Sequence, residues 1–325
     1  MVLNCRICGN DQGNRTHRAR EMMFGTRDEF EYVECARCGT VQIASIPELS
    51  PYYPAEYYSL DQSRRPEIER SWRRRAAAHF LGKHLLGGRT LIGRYVDKRR
   101  PQLRGHFPSS LVDPILDLDL NSSILDVGCG SGQLLRTLHA FGFRNLAGTD
   151  AFIERDFTVH GRIAVRKLSI DQLDGRFDLV MLHHSFEHLP EATNSLSKLK
   201  DLLKPYGTLL IRMPVVAYAW EQYGINWVQL DAPRHLHLFT EQGFRMIAGQ
   251  LGFDLLKVVY DSHAFQFFGS EQYKMDIPMN DATSFAGASE SSIFSQDQID
   301  EWSRLSEKLN TASRGDQACF YLRST

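Results

Sequence analysis

Residues 124–135 read Ile124-Leu125-Asp126-Val127-Gly128-Cys129-Gly130-Ser131-Gly132-Gln133-Leu134-Leu135, and this stretch decides the fold class. Four strand-like residues run into three glycines at alternate positions and then into residues that open a helix. Glycine at 128, 130 and 132 lets backbone approach a ligand at a point where helix N–H groups face outward. The spacing is not the dinucleotide pattern Gly-x-Gly-x-x-Gly, because Gln133 stands at the last place, and the Lys-Ser/Thr of a phosphate-binding P-loop is missing. Downstream, short aliphatic runs alternate with helical segments. Strands are expected at Ile124 to Val127, Asn145 to Thr149, Phe177 to Leu182 and Thr208 to Met213, with helices beginning near Gly132, Glu187 and Thr240. That alternation predicts an α/β fold: a parallel sheet with helices on both faces. Asp150 follows the second strand, 22 positions after Gly128, where its carboxylate can accept both hydroxyls of a ribose.

Further along, Asp254 to Tyr260 and Ala318 to Leu322 read as strands, Ala282 to Gln296 as a loop, and Asp297 to Asn310 as a capped surface helix. Upstream, Glu67 to Leu86 holds no proline and reads as a helix stopped by Gly87-Gly88, with a second short helix before Leu120. Pro47 to Ser59, rich in Pro and Tyr, reads as a linker whose aromatic rings fold back. No repeat of 20 to 50 residues is present.

The N-terminal segment carries Cys5-Arg6-Ile7-Cys8-Gly9 and Cys35-Ala36-Arg37-Cys38-Gly39, with 26 residues between Cys8 and Cys35. Two thiolates at Cys-x-x-Cys spacing wrap one side of a tetrahedral ion, and the glycine after each pair lets the chain turn. Two such knuckles complete a closed four-thiolate shell, so the expected zinc on Cys5, Cys8, Cys35 and Cys38 is structural. It would supply about 10 kcal/mol to a module too small to fold on its own core. Glu29 to Glu34 largely alternates polar and apolar and reads as a strand leading into the second knuckle. The expected domains are 1–46 (zinc module), 47–120 (Tyr/Pro linker and basic helical segment) and 121–325 (α/β domain, with insertions at 214–240 and about 263–315).

The chain has 325 residues, 42% hydrophobic and 24% charged, which fits about two globular domains and excludes a disordered or disulfide-stapled scaffold. No apolar run approaches the ~20 residues of a membrane span, and Met1-Val2-Leu3-Asn4-Cys5-Arg6 lacks the order of a secretion signal. A reducing cytoplasm is expected, where paired cysteines hold metal. The net charge of -1 hides an asymmetry: from Arg64 to Arg104, eleven Arg and two Lys stand against Glu67, Glu69 and Asp97. That segment is either a solvated face or a surface for something anionic, such as a phosphate-bearing ligand, an anionic membrane or RNA. RNA has little else in its favour. No Asn/Asp-Pro-Pro-Tyr-type motif follows the strand at Phe177, and no Pro-Cys nucleophile is present.

Leu125 to Gly132, then Gly148-Thr149-Asp150, then Phe177-Asp178-Leu179-Val180 with Glu187-His188-Leu189, then Leu202-Leu203-Lys204-Pro205-Tyr206-Gly207-Thr208-Leu209 resemble the successive motifs of class I S-adenosylmethionine-dependent methyltransferases. The match covers Ser122 to Met213 in order. The resemblance implies a Rossmann-like, seven-stranded sheet. It also implies Asp126 near the methionine amino group, Gly128, Gly130 and Gly132 against the cofactor, Asp150 on the ribose, and His183 beside the methionine part. Together with the cysteine module and the Tyr/Pro linker, Asp231-Ala232-Pro233-Arg234-His235-Leu236-His237-Leu238-Phe239-Thr240 resembles bacterial sugar and surface-glycan methyltransferases. Some of those use a Glu-His pair here as catalytic base. This chain keeps His235 but has Arg234 in place of the Glu, whose charge is expected to lower the His235 pKa.

The expected activity is therefore methyl transfer to a sugar hydroxyl of a nucleotide sugar or glycan, with His235 as general base and His237 and His184 as competing candidates. His184-x-x-Glu187-His188 also matches an inverted zinc-peptidase pattern. The short match carries little weight inside the methyltransferase series, though a divalent ion near the acceptor stays open, and Glu187 is expected in the first turn of a helix. Tyr52, Tyr53, Tyr57, Tyr58, Trp220 and Trp227 are candidates to cover the site or stack on sugar rings. The alternatives are C-methylation of a keto sugar and, from a different class, a nucleic-acid-binding zinc ribbon with a degenerate core. Intact Asp126, Gly128, Gly130, Gly132 and Asp150 argue against degeneracy.

Overall fold

A computed structural model describes residues 4–54, 59–61, 66, 68, 71–88, 90–285 and 293–325. Tyr57, Tyr58, Arg64, Arg65, Glu67, Glu69, Arg70 and Arg89, and residues 286–292 of the expected loop, lie outside the described residues. The strands are β1 (Arg15–Arg20), β2 (Glu29–Glu34), β3 (Val41–Ile43), β4 (Ser123–Val127), β5 (Asn145–Thr149), β6 (Phe157–Val159), β7 (Ile163–Arg166), β8 (Phe177–His183), β9 (Leu203–Pro214), β10 (His237–Leu238), β11 (Phe253–Tyr260) and β12 (Gln317–Ser324). The helices are α1 (Trp72–Leu85), α2 (Leu91–Arg99), α3 (Pro101–Gly105), α4 (Gln133–Phe141), α5 (Ala192–Asp201), α6 (Tyr218–Tyr223), α7 (Glu241–Gln250), α8 (Phe265–Lys274) and α9 (Gln296–Thr311). The chain forms two compact units, one of Met1–Pro54, His184–Asn194 and Arg212–Phe320, the other of Ala55–His183, Ser195–Ile211 and Tyr321–Thr325.

In the second unit β4 lies between β5 and β8 and is parallel to both, with Asp126 level with Gly148 and Met181. β7 adds in parallel to β5, and the three-residue β6 turns back on β7. Leu179, Val180, Met181 and Leu182 are all buried, as a strand covered on both faces requires. α4 starts at Gly132 and stops at Gly142, both left-handed. Gly82 of α1 has no room for a side chain: a Cβ would meet the Phe141 carbonyl at 2.3 Å.

In the first unit β1, β2, β3 and β10 make an antiparallel sheet in that order. The cysteine-bearing segment is thus completed by two residues from the 214–240 insertion, Leu238 facing Val41 and His237 facing Gln42. Tyr32, Val41, Ile43, Trp220, Trp227, Leu236 and Leu238 pack in one apolar cluster. α7 begins at Thr240, whose hydroxyl accepts from Gly243 N, and α9 opens on a reciprocal cap between Ser295 and Gln298.

Counting β9 and β12, which give residues to both units, the order β11-β12-β9-β8-β4-β5-β7-β6 has eight strands among the described residues, one more than the resemblance implies. The extra one is the short hairpin strand β6. A second difference concerns Glu187. It does not open an α-helix; Phe186–His188 is a single 3₁₀ turn, Leu189 is extended ahead of Pro190, and α5 starts only at Ala192. No helix among the described residues is long and apolar enough to cross a membrane.

Candidate functional site

The glycine turn after β4 is tied to the end of β5: Gly128 N and Cys129 N both donate to the Thr149 carbonyl, at 2.8 and 3.1 Å. Gly130 N donates to Asp150 Oδ2 at 2.9 Å and Phe152 N to Oδ1 at 2.8 Å. A carboxylate has about four acceptor positions, so Asp150 keeps capacity for two hydroxyl donors. Gly128, Gly130 and Gly132 have φ of 76°, 51° and 75°, a region that favours glycine. Gly130 meets a second demand that sequence spacing did not reveal. A Cβ there would lie 2.3 Å from the Ser59 carbonyl oxygen, which also accepts from Ser131 N at 2.8 Å.

Asp126, at the end of β4, is buried, and its pKa is raised to about 7, first by burial and then by Asp150. No hydrogen bond from a described residue reaches its carboxylate. An ammonium group would stabilise its charged form, so Asp126 and Asp150 fit the amino end and ribose of the cofactor that the motifs imply. His183 is the last residue of β8 and half-buried.

The four cysteines converge in the first unit. Cys5 Sγ lies 3.6 Å from Cys38 Sγ and Cys8 Sγ 3.4 Å from Cys35 Sγ, and all four sulfurs fall within 4.8 Å of one another with no disulfide. Zn–S bonds of about 2.3 Å in a tetrahedron give S···S edges of roughly 3.8 Å, so the donor set fits zinc. The knuckles repeat one geometry: Gly9 N donates to the Cys5 carbonyl and Gly39 N to the Cys35 carbonyl, at 2.8 and 2.9 Å. Cys38 is held down to about 4, chiefly by its hydrogen bond with Cys5.

The catalytic candidates gather in the same unit around Glu187, which is fully buried. His184 Nδ1 lies 3.4 Å and His235 Nε2 3.9 Å from Glu187 Oε1, and Asp231 Oδ2 is also 3.9 Å from His235 Nε2. A guanidinium only donates, and Arg212 Nη1 is 2.6 Å from His184 Nε2, so neutral His184 carries its proton on Nδ1, towards Glu187. Arg212 is held in turn by Asp261 at 2.6 Å. Burial works to raise the Glu187 pKa, but His184 first, then His188 and His235, bring it down to about 2. The ring of His235 is buried, with Nδ1 2.7 Å from the Gln229 carbonyl, so its proton sits there and the lone pair is on Nε2.

The expectation for Arg234 needs correction. His235 is indeed lowered, to about 4, but by burial first and His188 second, while the Arg234 guanidinium is engaged by Asp231 at 2.6 Å and Glu21 at 2.9 Å. The acidic neighbours of His235 come from Glu187 and Asp231 instead of from position 234. His237, the competing candidate, is buried with Nε2 2.9 Å from the Pro190 carbonyl. Trp220 and Trp227 belong to the apolar core, and Trp227 Nε1 donates to Asp316, so neither is a free stacking surface. The Tyr52 hydroxyl donates to Asp28, whereas the Tyr53 hydroxyl lies 3.1 Å from His188 Nδ1. Sequence reading passed over His188 as a partner of His235 and over Asp231, although Asp231-x-x-x-His235 was a signal in plain view.

A family model described as "Methyltransferase domain" matches residues 96–258, half of the chain. The ubiquinone biosynthesis O-methyltransferase of Xanthomonas oryzae pv. oryzae is 28% identical over 191 residues, covering 51% of this chain and 76% of that protein. Similar solved structures include an S-adenosylmethionine-dependent methyltransferase from Mesorhizobium loti (17% identity, TM-score 0.41, 69% of this chain and 96% of that one). Another is a complex of the Haloferax volcanii Trm112 methyltransferase activator with a methyltransferase (16%, 0.45, 75% and 97%). With the motif series, the turn between β4 and β5 and the family match in agreement, the chain belongs to this methyltransferase-domain family and is an S-adenosylmethionine-dependent methyltransferase.

Proposed function

We propose that the enzyme O-methylates a sugar hydroxyl of a nucleotide sugar or surface glycan, with His235 taking the proton. S-adenosylmethionine, when bound, supplies an electrophilic methyl group. Asp126 holds its ammonium, Asp150 its ribose, the glycine turn its backbone-facing side, and His183 lies beside the methionine part. The observation that carries the base is the state of His235: Nδ1–H is given to the Gln229 carbonyl, and the Nε2 lone pair faces carboxylates of Glu187 and Asp231, each 3.9 Å away. A proton accepted at Nε2 is then stabilised where it lands. Zinc closes the Cys5, Cys8, Cys35 and Cys38 shell as a structural ion.

Oxygen as the acceptor atom is supported by the O-methyltransferase relatives, and sugar by the likeness of residues 231–240 and of the cysteine module to glycan methyltransferases. The relatives' name also favours one second reading, an acceptor from ubiquinone biosynthesis. A tritiated-methyl screen over nucleotide sugars, glycan extracts and ubiquinone precursors separates the two. Label in the quinone fraction alone removes the sugar reading, and loss of carbon-bound deuterium from a keto sugar would replace O- with C-methylation. We also assign the basic segment to an anionic membrane surface. Trp72, Leu91, Ile92 and Tyr95 are exposed at 69%, 84%, 54% and 61% among exposed Arg73, Arg74, Arg75, Arg94 and Arg99.

A further inference from the structure

We propose that Glu187, His188 and His235 form a binding site for a divalent transition-metal ion, separate from the four-cysteine shell. One ligand atom from each of the three lies within 4.8 Å of the other two. The tautomers suit coordination. A carbonyl oxygen only accepts, so His235 Nδ1, 2.7 Å from Gln229 O, and His188 Nδ1, 2.8 Å from Arg234 O, both carry hydrogen and leave the Nε2 lone pairs available. An outer N–H donated to the main chain is the arrangement that orients imidazole ligands on a metal.

The second observation is Glu187 itself. Its side chain is fully buried, and neither carboxylate oxygen accepts a hydrogen bond from any described residue. The nearest donor, His184 Nδ1, stands at 3.4 Å without hydrogen-bond geometry. Buried carboxylates without donors are costly, and a cation removes the cost. Arg234 is not that cation, being taken up by Asp231 and Glu21. Two imidazoles and one carboxylate select zinc, cobalt or nickel over magnesium or calcium.

The site's consequence rests on the reading of His235 as proton acceptor: a metal on Nε2 occupies the lone pair the reaction needs, so the loaded enzyme does not turn over. The test is a cobalt(II) titration of the full chain. A first equivalent should show the intense thiolate charge-transfer absorption of the cysteine shell, and a second only weak ligand-field bands. Glu187→Gln and His188→Ala should each abolish the second equivalent and keep the first, which reports that the chain is folded. Turnover should fall as the second equivalent fills and return on chelation. A single equivalent in the unmodified protein, or a second that survives both substitutions, overturns the site. A second equivalent that binds in the unmodified protein, is lost in both variants and leaves turnover intact supports the site and removes His235 as the base.

Discussion

His235→Ala takes away a buried lone pair that Glu187 and Asp231 are positioned to support. Turnover should drop by about 10²- to 10⁴-fold with cofactor affinity unchanged by calorimetry, the usual worth of a positioned base. Near-normal turnover there, beside an inactive His184→Ala enzyme, would move the role to His184. Asp126 gives a pH test of its proposed place at the amino end of the cofactor. Its pKa near 7 means the carboxyl is neutral at low pH and charged above it, so S-adenosylmethionine affinity should climb as pH rises through about 7 and flatten in Asp126→Asn. In the free protein the sign is opposite. A carboxyl with a raised pKa costs stability as pH rises from about 4 towards 7, and Asp126→Asn should recover it. Arg234→Ala leaves buried Glu21 and half-buried Asp231 without their guanidinium and should destabilise the fold by about 3–5 kcal/mol, read as a lowered denaturant midpoint. The convergence of the cysteines and the placement of the glycines, Asp126 and Asp150 at the ends of β4 and β5 were legible in sequence because they are set by spacing over a few residues. The approach of Glu187 to His235 was not, because the two are 48 positions apart and no local pattern records the contact.

Strands β4, β5 and β8 could be read from aliphatic runs because each is buried on both faces. β1 could not: Arg15–Arg20 has five polar residues around Ala19 and is an edge strand held by its pairing with β2. β10 is two residues long and exists only because β3 is there to pair with it. That pairing joins the cysteine knuckles to the loop of the proposed base, as do the Tyr32 hydroxyl donating to the His235 carbonyl at 2.9 Å and Thr240 Oγ1 donating to the Cys38 carbonyl at 2.6 Å. Cys35→Ala should therefore lower bound zinc, make residues 1–46 the first digested, and speed amide exchange at Leu238. Zinc content unaffected by the change would refute the four-thiolate shell.

Across the whole molecule, the two units interleave the chain: residues 184–194 and 212–320 fold with the N-terminal 54, a partition no composition shift announces. Charge does follow sequence, since Arg73, Arg74, Arg75, Arg94, Lys98 and Arg99 of the basic stretch sit on exposed helical positions beside large apolar side chains. Vesicles rich in anionic lipid should retain the protein at low salt and release it as salt rises, with neutral vesicles retaining far less. Trp72→Ala combined with Arg73→Gln and Arg74→Gln should weaken retention without altering methyl transfer to a water-soluble acceptor. Equal retention on neutral vesicles would show that charge has no part in it.

The strand contributed by His237–Leu238 limits how this enzyme can be recombined with its relatives. A chimera cut near residue 46 would transplant β3 without the partner that covers its open edge, leaving unpaired backbone exposed to any other strand. Exchange of the cysteine segment should yield well-behaved hybrids only when residues 235–240 travel with it, so descent in this architecture ought to treat two stretches nearly two hundred residues apart as a single heritable piece.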